Sequence, residues 1–451
     1  MGSKWEKIKL KEVVDIITTK VDVSQISLCD YISTENMLTN FGGISIANSK
    51  PSTGKITKFH SGDILFSNIR TYFKKLWLAD RTGGCSNDVI VFRPKKNINS
   101  NYILSVLMDQ KFIEHTVLTS KGTKMPRGDK TAILDYEFNL APDKYCQHIA
   151  KTNTLIFSKL KSNEVINKSL EQMSQTLFKS WFVDFDPVID NALDAGNPIP
   201  EALQTRAKLR QKVRNSADFK PLPTEIRSLF PSEFEETELG WVPKDWLPQS
   251  MHELVESVSI TYPLKKSDKV VFLNTGDIEK GVFLHNSYSC TKGLPGQAKK
   301  SIKKGDILFS EIRPENKRYA FVYFESEDYV VSTKLMVLRA KNGVNPLLPY
   351  FILTLENNIK KLQRIAELRS GTFPQITFRE LEFITFTMPN NHLIMDLFIK
   401  NCLSPNYNKM VGIREMNKNL TALRDTLLPK LISGELSLED LPDLTTDTEA
   451  A

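Results

Sequence analysis

Residues 62–70 read GDILFSNIR, and residues 305–313 read GDILFSEIR. Eight of the nine positions agree at an offset of 243 residues, so the chain carries an internal duplication. The flanks repeat in the same order. Trp5 with Glu12 corresponds to Trp246 with Glu253, and YISTENM at 31–37 to FLNTGDI at 272–278. SNDVIVFRP at 86–94 parallels STKLMVLRA at 332–340, and SKGTKMP at 120–126 parallels RSGTFP at 369–374. Ala141-Pro142 and Met388-Pro389 close the two copies. GDILFS reads as a turn feeding a strand: Gly-Asp turns the chain, and Ile64, Leu65 and Phe66 enter the core. Short apolar runs such as DILFSNI, VIVFR and KLMVLR, followed by helical runs at 101–117 and 347–368, predict an α+β domain in each copy.

A helical stretch follows each copy. Ile149, Ile156, Leu160, Ile166, Leu170, Met173, Leu177 and Trp181 recur at spacings that fit one helix face. Ile413, Met416, Leu420, Leu423 and Leu427 run 3-4-3-4, the spacing of a heptad seam. One such helix per repeat predicts an antiparallel coiled-coil pair with pseudo-two-fold symmetry, about 54 Å long for about 36 residues. Its expected interface is Ile166, Leu170, Met173, Leu177 and Trp181 against Ile413, Met416, Leu420, Leu423 and Leu427. The expected organisation is a repeat domain at 1–145, a helix at 146–183, a Pro-rich acidic linker at 184–243 with a short helical patch near 201–214, a second repeat domain at 244–392, a helix at 393–438 and a disordered tail at 439–451.

Charge follows the same division. Residues 1–145 carry 21 Lys and Arg against 15 Asp and Glu, and residues 246–392 carry 20 against 15. The intervening residues 146–245 carry 13 against 14, and residues 393–451 carry 6 against 9. Two basic blocks suit a polyanion partner, because each neutralised phosphate releases counterions. Within them, Arg70, Tyr72, Lys74 and Lys75, and likewise Arg313, Lys317 and Arg318, mix cations with an aromatic just beyond the repeated strand. Such side chains hold phosphates or read base edges. The second repeated loop adds Lys121, Thr123, Lys124 and Arg127 in one copy and Arg369, Ser370 and Thr372 in the other. A loop of Gly, Thr, Ser and cations between a helix and a strand is a second DNA-contact candidate.

Catalytic signatures are missing. The sequence has no GxxxxGK[ST] phosphate loop, no FxGxG and no [ND]PP[YF] tetrapeptide. The five cysteines and six histidines are scattered without metal-ligand spacing, which fits free thiols in a reducing cytoplasm. Asp306 with Glu315 has a nuclease-like spacing, but its counterpart Asp63 is followed by no second carboxylate. No run of about 18 apolar residues is present. The residues describe a binding scaffold.

The order GDILFSNIR, SKGTKMP, LEQMSQTLFKSWFVDFDP, FPSEFEETELGWVPKDW, GDILFSEIR, RSGTFPQITF, LRDTLLPKLISGEL resembles the DNA-specificity subunit of type I restriction–modification systems, over residues 4–438. The resemblance implies two target-recognition domains separated by two conserved helices. Each domain would read one half of a split DNA target, and the helix pair would set the spacer. It implies double-stranded DNA, two copies of an adenine-N6 methyltransferase subunit and translocase–endonuclease subunits as partners. This chain would then be non-catalytic and bind no cofactor, with S-adenosylmethionine, ATP and Mg²⁺ on the partners. Service to a fused nuclease–methyltransferase stays open. So do a lone nuclease or methyltransferase and a scaffold that binds acidic proteins. The lengthened stretch at 184–243 departs from the family pattern.

Overall fold

A computed structural model of the chain describes residues 5–238 and 240–436. The expected tail at 439–451 lies outside the described residues. The chain forms two compact units. One takes the residues up to Ile166 and from Ile413 onward; the other takes Asn167 to Gly412.

Both units are built on the repeated strand. In the first unit Ile64–Ser67 is a central strand of a four-stranded antiparallel sheet, between Val89–Pro94 and Leu76–Leu78, with Val14–Ile16 at the edge. In the second, Ile307–Ser310 lies between Leu335–Ala340 and Tyr319–Phe321, with Val255–Val258 at the edge. The registers match: Ile64 faces Phe92, and Ile307 faces Leu338. A consecutive Ile-Leu-Phe run requires burial on both faces of the strand, because neighbouring side chains point opposite ways. Ile64 and Phe66 pack into the core with the helices Ser100–Met108 and Gln110–Leu118, while Leu65 packs into a second core with Ile32, Phe59 and Val91. Ile307 and Phe309 join the helical core of the second unit, and Leu308 joins Val271, Leu273 and Val331.

That other face is covered by a second small sheet. Tyr31–Ile32 runs parallel to Gly83–Cys85, which runs antiparallel to Lys55–Phe59. In the second unit Lys269–Leu273, Tyr329–Ser332 and Ala298–Ser301 repeat that pattern. The burial has a chemical consequence for Cys85. Loss of solvent pushes its thiol up to about 12. Thiols of the unfolded chain ionise near 8.5. The folded-state pKa is raised, so its stabilising contribution is complete below that value and is lost as pH climbs from about 9 towards 12. At pH 8 a thiol reagent is expected to label the exposed Cys29 and Cys290 at once and Cys85 only on unfolding, a pattern read by mass spectrometry.

The Asp of GDILFS is a structural group in both copies. Asp63 is buried and accepts from Arg93 Nε and Nη2, both at 2.7 Å, and from the His60 amide at 2.8 Å. Asp306 accepts from Arg339 Nε and Nη2, both at 2.8 Å, and from the Lys303 amide at 2.8 Å. The carboxylate of the nuclease-like spacing is therefore committed to an arginine fork. Among the described residues no group of three or more His, Cys, Asp or Glu is placed to hold a metal ion.

The long helix Asp143–Phe182 follows the first repeat, and Ser404–Ser433 ends the described chain. Within the first unit, Ile149 and Ala150 pack with Leu428, Leu431 and Ile432, and Asn163 Nδ2 donates to Asn417 Oδ1 at 2.6 Å. Within the second unit, Asn406 Nδ2 donates to Ser174 Oγ at 3.0 Å, and Phe178, Trp181 and Phe182 pack around Phe398. In each unit the later residues of the central helix meet earlier residues of the other segment, so the pairing is antiparallel.

Residues 184–238 and 240–243 are packed structure rather than the expected linker, and the helical patch expected near 201–214 is the helix Gln204–Arg214. Phe185, Val188 and Phe230 join the second unit's core beside Trp246. The helices Asp186–Ala195 and Gln204–Arg214 are joined rung by rung. Asp186 pairs with Arg206 at 2.6 Å and Asp190 with Arg210 at 2.5 Å, while Asp194 pairs with both Arg214 and Arg227. Carboxylates and arginines at four-residue spacing present one face each, so the two helices clasp along their length.

Candidate nucleic-acid interface

The repeated strand ends in a hook of the same shape in both units. Arg70 and Arg313 adopt left-handed backbone (φ 50° and 45°), a short helical turn follows, and Lys74 and Lys317 are left-handed again (φ 54° or less). The turn is Thr71–Phe73 in one copy and Pro314–Asn316 in the other. Left-handed conformation at a non-glycine residue costs energy, and four instances at matched positions require a scaffold that holds them.

The scaffold is the second repeated loop. The Arg70 amide donates to the Pro126 carbonyl at 2.9 Å, and the Arg313 amide to the Pro374 carbonyl at 3.1 Å. Ile69 bridges Arg127, and Ile312 bridges Gln375. The Gly128 amide donates to the Asn68 carbonyl at 3.1 Å, and the Ile376 amide to the Glu311 carbonyl at 2.9 Å. Two loops about 60 residues apart in sequence thus form one surface in each unit.

The side chains predicted to contact DNA divide into two groups. Arg70 is half-buried and reaches the Lys124 carbonyl through Nη2 at 3.4 Å. Tyr72 is exposed, with its ring 4.9 Å from that of Phe73. It lines a shallow apolar cleft of about 450 Å³ with Lys74, Ile113, Val117 and Leu118. Thr123, Lys124, Arg313 and Thr372 are exposed. Lys121 is exposed and pairs with Asp129 at 2.5 Å, holding that carboxyl below its ordinary range. Arg127 pairs with Asp88 at 2.9 Å and Arg369 with Glu380 at 2.5 Å. Ser370 Oγ accepts from the Phe373 amide at 3.1 Å, closing the loop tip.

Three cations are internal ties rather than open hands. Lys75 Nζ donates to the Thr34 carbonyl at 2.6 Å, and burial lowers its pKa. Its counterpart Arg318 donates to the Ile278 carbonyl and to Glu279. Lys317 is held by Glu356 at 2.6 Å, which lowers the Glu356 carboxyl. The repeat itself carries a signal for Lys75 and Arg318: both copies keep a cation where the chain turns back into a strand.

The helix seam also departs from the predicted face. Ile413, Leu170 and Trp181 are buried, and Ile166, Leu177, Leu420 and Leu427 are half-buried. Met173 is 59% exposed and Leu423 is 50% exposed, so both point away from the partner helix. Ser174 and Arg424 take the buried positions beside them. Met416 is largely exposed, although its sulfur accepts from Asn163 Nδ2 at 3.4 Å. Arg424 lies between two rings, 5.2 Å from the Phe41 centroid and 5.7 Å from that of Phe157. A search for apolar periodicity misses a seam that is partly Asn, Ser and Arg.

Two repeats of one α+β recognition plan, each followed by a long helix, define a duplicated DNA-specificity architecture. The model of the type I restriction modification DNA specificity domain matches residues 2–172 and 243–398, and the chain belongs to that family. It is 39% identical to the Type I restriction enzyme HindI specificity subunit of Haemophilus influenzae over 184 residues, which span 41% of this chain and 40% of that protein. It is 22% identical to the Type I restriction enzyme MjaIX specificity subunit of Methanocaldococcus jannaschii, over 97% of this chain and 94% of that one. The crystal structure of the type I restriction–modification S subunit from M. genitalium shares the fold, with a TM-score of 0.52 and 13% identity over 95% of this chain and 96% of that one. No helix among the described residues is long and apolar enough to cross a membrane.

Proposed function

We propose that this chain reads an asymmetric two-part DNA target and directs adenine-N6 methylation and ATP-dependent restriction by partner subunits in the cytoplasm. The observation that carries the reading is the twofold occurrence of one hook-and-loop surface with different side chains. Copies with the same backbone and different tips suit two half-sites of different sequence. The basic balance of both repeat blocks supplies attraction to the duplex. The paired long helices set the number of base pairs between the half-sites. Exposed apolar side chains on them, such as Met173 and Leu423, are available to the partners.

The partners in this reading are two copies of an adenine-N6 methyltransferase subunit and the translocase–endonuclease subunits. S-adenosylmethionine, ATP and Mg²⁺ are bound on those subunits, and this chain contributes no catalytic group.

Insertion of one heptad into each long helix tests the spacing role. Binding-site selection by the assembled methyltransferase is expected to return both half-sites unchanged with a longer spacer. An unchanged spacer contradicts it.

A further inference from the structure

The nonapeptide repeat differs at one position, Asn68 against Glu311. That position sits where the hook meets the loop, and the residues beside it differ too. The Asn68 amide donates to the Asp88 carbonyl at 2.8 Å, and the Glu311 amide to the Lys334 carbonyl at 3.1 Å. The bridges from Ile69 and Ile312 place Arg127 and Gln375 on the third side. Every one of these links is main chain, so the backbone of the junction is the same whatever its side chains. One copy presents Asp88 and Arg127 above the buried Asn68; the other presents Glu311, Lys334 and Gln375.

A second observation singles out the first copy. Asn68 Oδ1 and Thr71 Oγ1 are both buried without a hydrogen-bond partner. Gly128 lies over them: a Cβ there would come within 2.8 Å of Asn68 Oδ1. In the second copy Ile376 and Pro314 occupy the positions of Gly128 and Thr71, and both are apolar. The first junction is thus floored by buried polar groups beneath a glycine and the second by apolar side chains, so the two differ beneath the surface as well as on it.

We infer that this junction is the specificity-determining element of each recognition unit, with Arg127, positioned by Asp88 and seated beside Asn68, reading one half-site and Glu311, Lys334 and Gln375 reading the other. The inference rests on the DNA-reading function proposed above and names its readers. Arg127 is exposed, and Asp88 fixes its guanidinium, which matches the paired O6 and N7 acceptors of guanine. Asp88 is thereby a positioning residue. Glu311 is half-exposed and offers acceptors only, which suit the amino edge of cytosine or adenine.

The test uses the full chain assembled with its methyltransferase and selection from randomised duplexes. Arg127→Gln and Arg127→Lys are both expected to weaken binding to the first half-site by about 10- to 100-fold, since each loses the bidentate contact. Both relax the preference at one base pair and leave the second half-site unchanged. Glu311→Gln gives the mirror result, confined to the second half-site. The double change Asp88→Lys, Arg127→Gln is expected to select a new first half-site. If the parental complex selects a split target and the Arg127 and Glu311 variants, assembled equally well, select the same target with the same affinity, the inference falls. If the parental complex selects no two-part target, the underlying reading falls and takes the inference with it.

Discussion

Asp306→Ala is expected to destabilise the second unit by about 3–5 kcal/mol, the cost of removing one partner of a buried ion pair. The Asp306 carboxylate is fully buried, and the Arg339 side chain it holds is 19% exposed. Truncation leaves that guanidinium without its counter-charge and the Lys303 amide without its acceptor. The same substitution at Asp63 leaves an Arg93 side chain that is 39% exposed and can turn to water. Its cost is expected to be smaller, because solvent screens what the carboxylate no longer neutralises. Urea unfolding of both variants, followed by hydrogen exchange at each repeat, measures the two effects separately. A loss at Asp306 below about 1 kcal/mol, or a larger loss at Asp63, contradicts this account of the repeated turn.

Phe398→Ala is expected to cost about 3–5 kcal/mol, the usual range for removing a buried aromatic ring. Phe398 is fully buried, and its ring lies 5.5–6.4 Å from those of Phe178, Trp181, Phe182 and Phe351. These residues come from the central helix, the helix Leu347–Thr354 and the helix His392–Phe398. Without the ring the contacts that tie the central helix into the second unit are lost together. Leu393→Ala is the control, because Leu393 is on the same short helix and is exposed. It is expected to change stability by no more than about 0.5 kcal/mol. Equal losses in the two variants would mean that the aromatic cluster does not anchor the helix.

The framework of the fold was legible because its signals are apolar and repeated. Ile64-Leu65-Phe66 reads as a strand entering the core, and its recurrence at 307–309 reveals the duplication; burial on both faces is what the structure adds. Leu177 and Trp181 read as part of one helix face, and the structure packs both against the core that holds Phe398 and Trp246. In the stretch 184–243 the helical patch near 201–214 is legible, but its packing is not, because Pro and acidic residues suggest a linker. The Asp186, Asp190, Asp194 and Arg206, Arg210, Arg214 spacing was in the sequence, but charges at four-residue intervals are as common on solvated helices as in a clasp. Met173 and Leu423 were misplaced for a related reason. A search for apolar residues assigns the seam to the nearest apolar side chain, whereas Ser174 and Arg424 hold those positions.

The hook and the loop were each legible as repeats. Their meeting was not, because it depends on the carbonyls of Pro126 and Pro374, and side-chain identity carries no record of a backbone acceptor. The internal role of Lys75 stays hidden for the same reason, since it binds a main-chain carbonyl, whereas Arg318 also binds the Glu279 carboxylate.

The central claim is that two different recognition surfaces on one chain read two halves of one target. Methylome sequencing of a host expressing this chain with its cognate methyltransferase tests it most directly. The expected result is a single new motif in two unlike parts, separated by a fixed number of unspecified base pairs, with N6-methyladenine in each part. A continuous motif, or no new motif from a complex shown to assemble, would contradict it.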